Sequence, residues 1–375
     1  MMEMQEKKYR LINYSFILLA LVIAAMIFGT VIIISVEPDY MTKQIFGVCC
    51  CVVGLIVVSL IDYKFICKYY MILYIINIIL LVLILILGQG SASHGADRWF
   101  VISDSFTIQP SEFSKIILII CTAVFLDKHH EDLNKAKTLL KLAVYLAVPI
   151  ALIVAEPDLS TTLCLVFTLI IVIFVGGLSL KLIGIVLLIL IPCAGGFLWY
   201  IQQEDFPQFL KTYQINRILD FVYSNNTTGT QDQQNNSVMA IGSGQLSGKG
   251  INNQTVATVK DANLISEQQT DFIFSAIGEE LGFIGSVIVI AILALIVLQC
   301  IRVAKRASDK RGMYIATGIG SLIAIQTFIN IGVATAILPN TGIPLPFFSY
   351  GLSSLVSISA GIGLVLNINL QKKNY

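Results

Sequence analysis

The chain has 375 residues, of which 56% are hydrophobic and 13% charged, and its mean hydropathy is +0.83. Soluble domains carry about 25% charged residues, so this composition excludes a soluble globular protein and indicates a membrane protein. The net charge of +1 comes without a basic stripe, and we expect no nucleic acid partner. Eight cysteines lie in or beside apolar segments, so neither a disulfide framework nor a structural metal site is expected.

Ten apolar segments approach the length of about 20 residues that a membrane-spanning helix needs. They cover residues 12–35, 44–61, 69–88, 112–126, 138–155, 159–177, 180–200, 272–301, 313–338 and 346–370. We therefore predict an all-α, polytopic integral membrane protein with ten transmembrane helices in a single domain, 1–375. A large extracellular loop, 201–271, should separate helices 7 and 8, and its polar, low-complexity part, 224–237, should be mobile.

The distribution of positive charge predicts the orientation. With the N-terminus inside the cell, seventeen of the 24 lysines and arginines lie on the cytoplasmic side. Short loops that carry an excess of lysine and arginine stay in the cytoplasm. Both termini are therefore predicted to be cytoplasmic, and the long loop is predicted to be outside.

Four outward-facing stretches combine polar residues with helix breakers. They are GADRWFVISDSFTIQPSEFSK (95–115), AEPDLSTT (155–162), AIGSGQLSGKGINNQ (240–254) and LPNTGIPLPFFSYGLSSL (338–355). Helix capping is a sufficient reason for Asp158, and an interfacial anchor is a sufficient reason for Trp99. The glycine-rich stretch could cradle an anion such as a diphosphate or form a flexible turn. The proline-rich stretch could line a cavity or form a simple turn.

A fifth stretch, SEQQTDFIFSAIGEELGFIGS (266–286), places Asp271, Glu279 and Glu280 where a polar loop enters an apolar segment. A charge inside a membrane segment costs about 2.5–3.5 kcal/mol, so such residues are first considered functional. The alternatives are an N-cap for Asp271 and ion pairs for the two glutamates with Arg98, Lys115 or Lys249. These residues predict an outward cleft that suits either glycosyl transfer from a diphosphate-linked lipid or a transporter.

The stretches, taken together and in this order, resemble the SEDS family (shape, elongation, division and sporulation) of RodA, FtsW and SpoVE. The N-terminal YRLINYSFILL pattern is closer to RodA. The chain departs from the usual family pattern at a few motif positions, namely Glu156, Ser160, Ser266, Gln269 and Leu352.

The resemblance implies a peptidoglycan glycosyltransferase that polymerises lipid II at the outer face of the bacterial cytoplasmic membrane. It implies that Asp271 is the general base or orients the acceptor hydroxyl, and that a divalent cation, Mg²⁺ or Mn²⁺, assists the basic residues. It also implies a class B penicillin-binding protein as partner. A lipid II flippase or other lipid-linked sugar transporter, and a purely structural subunit, are the alternatives. The substrate-binding candidates are Arg98, Trp99, Glu112, Lys115, Asp158, Lys249, Glu279, Glu280 and Ser349.

Overall fold

Helices make up most of the described chain. The computed structural model describes residues 13–88, 98–103, 106–156, 158–182, 230–253, 256–260 and 264–371, with single positions 184, 188, 192, 196 and 262. The helices are α1 (Phe16–Val36), α2 (Met41–Leu60), α3 (Tyr63–Lys68), α4 (Tyr70–Leu87), α5 (Pro110–Lys128), α6 (Ala136–Ala155), α7 (Leu159–Val175), α8 (Thr230–Ser243), α9 (Ile273–Arg306), α10 (Lys310–Ala334) and α11 (Leu352–Leu370).

Two short antiparallel strands precede α5. Strand β1 (Phe100–Ser103) pairs with β2 (Phe106–Ile108), and Phe100 lies opposite Ile108 in the register. The sequence analysis did not predict this hairpin. It places Arg98 and Trp99 beside the first turn of α5.

The predicted spans agree with the observed helices in the described part of the chain, apart from shifts at their ends. Seven helical segments there are long and apolar enough to cross a membrane, and α7 is a shorter apolar helix. The fifth and sixth predicted spans are separate helices, α6 and α7. The seventh predicted span, 180–200, lies mostly outside the described residues, so the count of ten stays a prediction. The last helix begins at Leu352, because residues 346–351 form a non-helical turn.

The interior of the bundle is formed by α5, α10 and α11. Most residues of these helices are buried, whereas α2, α4 and α6 expose large apolar side chains over most of their length. Phe46, Ile86 and Phe283, for example, are each more than 60% exposed. Apolar residues in contact with surrounding lipid are what a membrane-spanning bundle requires, so this surface is the lipid-facing one.

Polar side chains join the helices inside the bundle. Ser114 of α5 donates to Asn77 Oδ1 of α4 at 2.5 Å, and Asn367 of α11 links the backbone groups of Tyr63 and Ser59 at 2.9 Å each. An unsatisfied polar group in hydrocarbon is costly, so such bonds favour one pairing of helices over others.

Part of the predicted mobile segment is a helix. Residues 230–237 belong to α8, while 224–229 lie outside the described residues. The prediction relied on composition alone, but α8 is held by tertiary bonds. Gln234 donates to the carbonyls of Val333 and Leu338, and Ser237 donates to that of Ala334. The composition did not predict this helix, and the mobility of 224–237 stays a prediction.

The long helix α9 is interrupted at Gly282, which has a φ of 66°. In a continuous helix the N–H of residue 283 would donate to the carbonyl of residue 279. Here Phe283 and Ile284 donate to the carbonyls of Gln245 and Leu246 instead. The carbonyls of Glu279 and Glu280 accept from the N–H groups of residues 249 and 250. The segment 244–250, named here the inserted loop, therefore replaces two helical hydrogen bonds with four crossed ones.

Gly248 provides the close approach that the inserted loop needs. Its φ is 80°, and a Cβ built on it would lie 2.2 Å from the carbonyl oxygen of Glu280. We expect Gly248→Ala to destabilise the protein by about 1–3 kcal/mol, since the loop would have to move out of the helix break.

Gly242 supplies the matched control. It lies in α8, and a Cβ built on it meets no atom within 4 Å. Because glycine in a helix costs about 0.5–1 kcal/mol relative to alanine, Gly242→Ala should leave stability unchanged or raise it. Thermal unfolding of both purified variants in the same detergent measures the difference. Equal melting temperatures would contradict the role given to Gly248.

Candidate functional site

A cavity of about 750 Å³ opens where the start of α5, the start of α7 and the segments before α9 and α11 meet. It is lined by polar and charged side chains from parts of the chain far apart in sequence. They include Arg98, Trp99, Gln109, Glu112, Lys115, Asp158, Thr161, Gln233, Glu267, Thr270, Asp271, Gln326, Asn340, Thr341 and Ser353. The structure therefore brings six of the ten sequence-predicted site residues to one cavity.

A buried ion pair forms one wall of the cavity. Lys115 Nζ donates to Glu112 Oε1 at 2.7 Å, and the two side chains are 1% and 5% exposed. They lie three residues apart on α5, so the helix itself brings them together. The second carboxylate oxygen of Glu112 has no hydrogen-bond partner. This pair offers a ligand both a cation and an unsatisfied acceptor.

Asp158 connects three elements at the base of the cavity. Its Oδ1 accepts the N–H of Thr161 at 3.1 Å, which is the predicted helix cap. Its Oδ2 accepts from Gln109 at 2.9 Å and from Ser111 at 3.3 Å. Arg98 Nη1 lies 3.8 Å from Oδ1. The capping interpretation is correct, but Asp158 also holds the start of α5 against the start of α7.

Asp271 lies just before α9 and lines the same cavity. The N-cap position belongs to Phe272, one residue after Asp271. The Asp271 carbonyl accepts from Asn330 at 2.8 Å, and the same amide donates to the Ile343 carbonyl at 2.8 Å. Asn330 therefore joins the backbone that carries Asp271 to the proline-rich segment.

Gly342 allows the proline-rich segment to approach the carboxylate of Asp271. Its φ is 73°, and a Cβ built on it would lie 3.1 Å from Asp271 Oδ2. The neighbouring carbonyl of Thr341 accepts a hydrogen bond from Ser160 at the start of α7. The non-helical segment therefore forms a wall of the cavity, which is one of the two alternatives that the sequence left open.

Four predicted site residues lie outside the cavity. Glu279 pairs with Lys249 at 2.7 Å, and Glu280 pairs with Lys260 at 2.8 Å. Both pairs fasten the inserted loop and the residues after it to α9. Ser349 accepts the N–H of Leu345 at 2.8 Å and closes a turn. Glu279 therefore has one of the predicted ion-pair partners, whereas the partner of Glu280, Lys260, was not among those predicted.

The glycine-rich stretch is neither an open anion cradle nor a free flexible turn. The N–H groups of Lys249 and Gly250 donate to the carbonyls of Glu279 and Glu280 at 2.9 Å each. The N–H of Gly248 donates to the carbonyl of Gly244 at 2.8 Å. Backbone donors that are already engaged are not available to a diphosphate.

Sequence reasoning missed Gln326 and Asn340. Gln326 is fully buried in α10 and lines the cavity, and neither polar atom of its amide has a hydrogen-bond partner among the described residues. Asn340 lines the cavity with an unsatisfied Oδ1. The signal for Gln326 was available, since a polar residue in the middle of an apolar span is a functional candidate.

Glu156, which ends α6 beside the cavity, is buried with both carboxylate oxygens unpartnered. Burial, and secondarily the charge of Asp158, raises its pKa from 4.5 to about 8, while Arg98 opposes the shift. The folded protein therefore keeps this proton at pH values where the unfolded chain has lost it. The contribution to stability is present below pH 4.5 and is lost as the pH rises through about 8.

We expect Glu156→Gln to remove this pH dependence. A difference of one pKa unit corresponds to about 1.4 kcal/mol, so the variant should be more stable than the wild type above pH 8 by more than that amount. The two proteins should unfold at similar temperatures near pH 4.5. Melting temperatures measured across this pH range test the expectation, and parallel curves would contradict it.

The fold and the cavity define a polytopic membrane protein with a charged site at one end of its helix bundle. The chain matches the cell cycle protein family of FtsW, RodA and SpoVE over residues 9–374. It belongs to this family.

Individual relatives agree with this membership. The chain is 33% identical to the "Probable peptidoglycan glycosyltransferase FtsW" of Trichlorobacter lovleyi, over 98% of this chain and 96% of the relative. It is 34% identical to the peptidoglycan glycosyltransferase MrdB of Escherichia coli K12, over 80% and 78%. Since the two identities are so close, the RodA-like assignment stays a prediction.

A solved structure confirms the fold. It comes from a study of "polymerization and crosslinking by a peptidoglycan synthase complex" and superimposes with a TM-score of 0.76 at 24% identity. The match covers 95% of this chain and 97% of that chain. The helix arrangement is therefore that of a known membrane protein.

Proposed function

We propose that this protein is a peptidoglycan glycosyltransferase that polymerises lipid II into glycan strands for the cell wall. The observation that carries the proposal is the single cavity in which Asp271, the Glu112–Lys115 pair and Arg98 meet. Relatives named peptidoglycan glycosyltransferase, aligned over most of this chain, support the same activity.

The reaction requires a base and a site for a diphosphate on opposite sides of one sugar carbon. The 4-hydroxyl oxygen of the acceptor sugar attacks the anomeric carbon of the donor, and the bond from that carbon to the diphosphate breaks. The hydroxyl proton passes to Asp271, and the electron pair of the broken bond leaves with undecaprenyl diphosphate. A positioned general base contributes about 10²–10⁴-fold to such a rate.

Lys115 and Arg98 are the cations that offset the charge of the leaving diphosphate in this proposal. Both line the cavity, and Arg98 is held in place by Asp158 and by the carbonyl of Glu156 at 3.1 Å. Cationic donors fixed in advance stabilise charge that develops in the transition state. Trp99 packs against the sugar or the isoprenoid chain. Lys249 has no part in this version, because it pairs with Glu279 outside the cavity.

A divalent cation, Mg²⁺ or Mn²⁺, belongs to the proposal as a companion of the diphosphate. Among the described residues, no group of three His, Cys, Asp or Glu side chains could hold a metal ion alone. Magnesium is commonly bound by one or two carboxylates together with substrate phosphates. Glu112 lines the cavity beside Lys115, and its second carboxylate oxygen has no hydrogen-bond partner in the described chain, so it is the carboxylate that would contribute.

The proposed orientation places the cavity at the outer face of the cytoplasmic membrane and both termini inside. The excess of lysine and arginine at the other end of the bundle supports it. We further propose a class B penicillin-binding protein as partner, which would cross-link the new strand. The similar solved structure belongs to a peptidoglycan synthase complex that coordinates polymerisation and crosslinking, and this supports such a partner.

The test is gel analysis of the glycan chains that the purified protein makes from lipid II, with and without the penicillin-binding protein. Long chains that depend on this protein support the polymerase. Transfer of lipid II across vesicles without chain growth would identify a flippase or lipid-linked sugar transporter. If the penicillin-binding protein made glycan chains equally well without this protein, this protein would be a structural subunit.

A further inference from the structure

A second cavity, of about 420 Å³, lies at the opposite end of the bundle from the first. Helix α9 runs from the Asp271 cavity to this one, so the two cavities belong to opposite faces of the membrane. The second cavity is lined by residues from the start of α1 and from the ends of α9 and α11. They are Ser15, Ile17, Gln299, Arg302, Val303, Arg306 and Asn369. None of them is acidic.

One face of α9 supplies a basic wall. Four cavity-lining residues of α9 are spaced at steps of three, one and three residues, which places them on the same side of the helix. They are Gln299, Arg302, Val303 and Arg306. Arg302 and Arg306 are exposed and form no ion pair with any described residue. Two adjacent guanidinium groups that face no acidic side chain of the described residues are suited to bind an anion.

Gln299 independently indicates a ligand. It lines the cavity and is only 8% exposed, yet its amide makes no hydrogen bond to the described chain. The amide lines the cavity, where it can donate to a ligand oxygen. Ser15 adds to the site, because it caps α1 by accepting the N–H of Leu18 at 3.4 Å. The start of α1 therefore contributes a partial positive charge.

We propose that this cavity binds the phosphate of an anionic phospholipid of the cytoplasmic leaflet. The cavity opens between transmembrane helices at the level where their apolar segments end, which is the depth of lipid headgroups. Phe16 and Ile17, both 64% exposed, offer an apolar surface beside it for acyl chains. Basic pockets between transmembrane helices on the cytoplasmic side bind anionic headgroups. The site is distinct from the lipid II cavity and does not depend on the activity proposed above, but its place in the cytoplasmic leaflet rests on the proposed orientation.

Native mass spectrometry of the full-length protein from nanodiscs tests the proposal. The nanodiscs contain equal amounts of phosphatidylglycerol and phosphatidylcholine. The wild type should retain phosphatidylglycerol in preference to phosphatidylcholine. The double variant Arg302→Gln/Arg306→Gln should lose that retention by about tenfold, since each basic residue contributes severalfold to binding of an anionic lipid. Gln299→Leu keeps both charges and should also lower retention.

The matched control is the double variant Lys305→Gln/Lys310→Gln. It removes the same charge at the same face of the membrane from exposed residues that do not line the cavity. Its retention of phosphatidylglycerol should change by less than about twofold. Equal losses in both double variants would show general surface attraction and overturn the site, as would full retention in the arginine variant. If glycerol phosphate displaced the lipid, the cavity would be a site for a soluble anion, and the proposal of a phospholipid ligand would be wrong.

Discussion

Asp271→Asn is expected to lower the rate of lipid II polymerisation by at least about 100-fold, because asparagine cannot accept the proton of the attacking hydroxyl. The substitution keeps the shape of the side chain beside Gly342, and the backbone bonds to Asn330 do not involve the carboxylate. The variant should therefore fold, insert and unfold like the wild type. Single-turnover assays with purified lipid II measure the rate.

Asp232→Asn is the matched control for this prediction. Asp232 is exposed on α8 and does not line the cavity. The same chemical change there should leave the polymerisation rate unchanged. If Asp271→Asn polymerised lipid II at the rate of this control, Asp271 would not be the base.

Lys115→Met is expected to lose both activity and stability. The substitution would leave Glu112 buried at 4% exposure without its cation, and breaking one partner of a buried ion pair costs about 3–5 kcal/mol. The double variant Glu112→Gln/Lys115→Met removes both charges and should recover most of the lost stability. It should not recover polymerisation, because the cation proposed to face the diphosphate is still missing.

The exposed pair Asp132–Lys135 is the control for the buried one. It has the same spacing of three residues and a distance of 2.6 Å, but its side chains are 53% and 70% exposed. Lys135→Met should therefore cost less than about 1 kcal/mol. If the double variant Glu112→Gln/Lys115→Met polymerised lipid II at the normal rate, the buried pair would have only a structural role.

The helices were predictable because the signal for a membrane span is local. About twenty apolar residues in a row identify a span without knowledge of its neighbours. Local chemistry likewise predicted the cap at Asp158. The order of the motifs predicted Asp271 and Lys115 as site residues, and the structure places both in one cavity.

The parts that failed depend on contacts between distant segments. The polar composition of α8 indicates disorder, and the helix exists because Gln234 bonds to carbonyls about a hundred residues away. The glycine-rich stretch could not be recognised as an insertion, because its partners are backbone groups released at Gly282. No local sequence pattern predicts that a helix will be interrupted by a loop from another part of the chain.

The four crossed hydrogen bonds at Gly282 also constrain the order of biosynthesis. The inserted loop precedes α9 in the chain, so it is already translated when the helix that receives it emerges. We therefore expect the backbone groups released at the break to find their partners as α9 enters the bilayer. A circular permutation that placed residues 244–250 after α9 would reverse this sequence of events, and its yield of inserted protein would show whether the order matters.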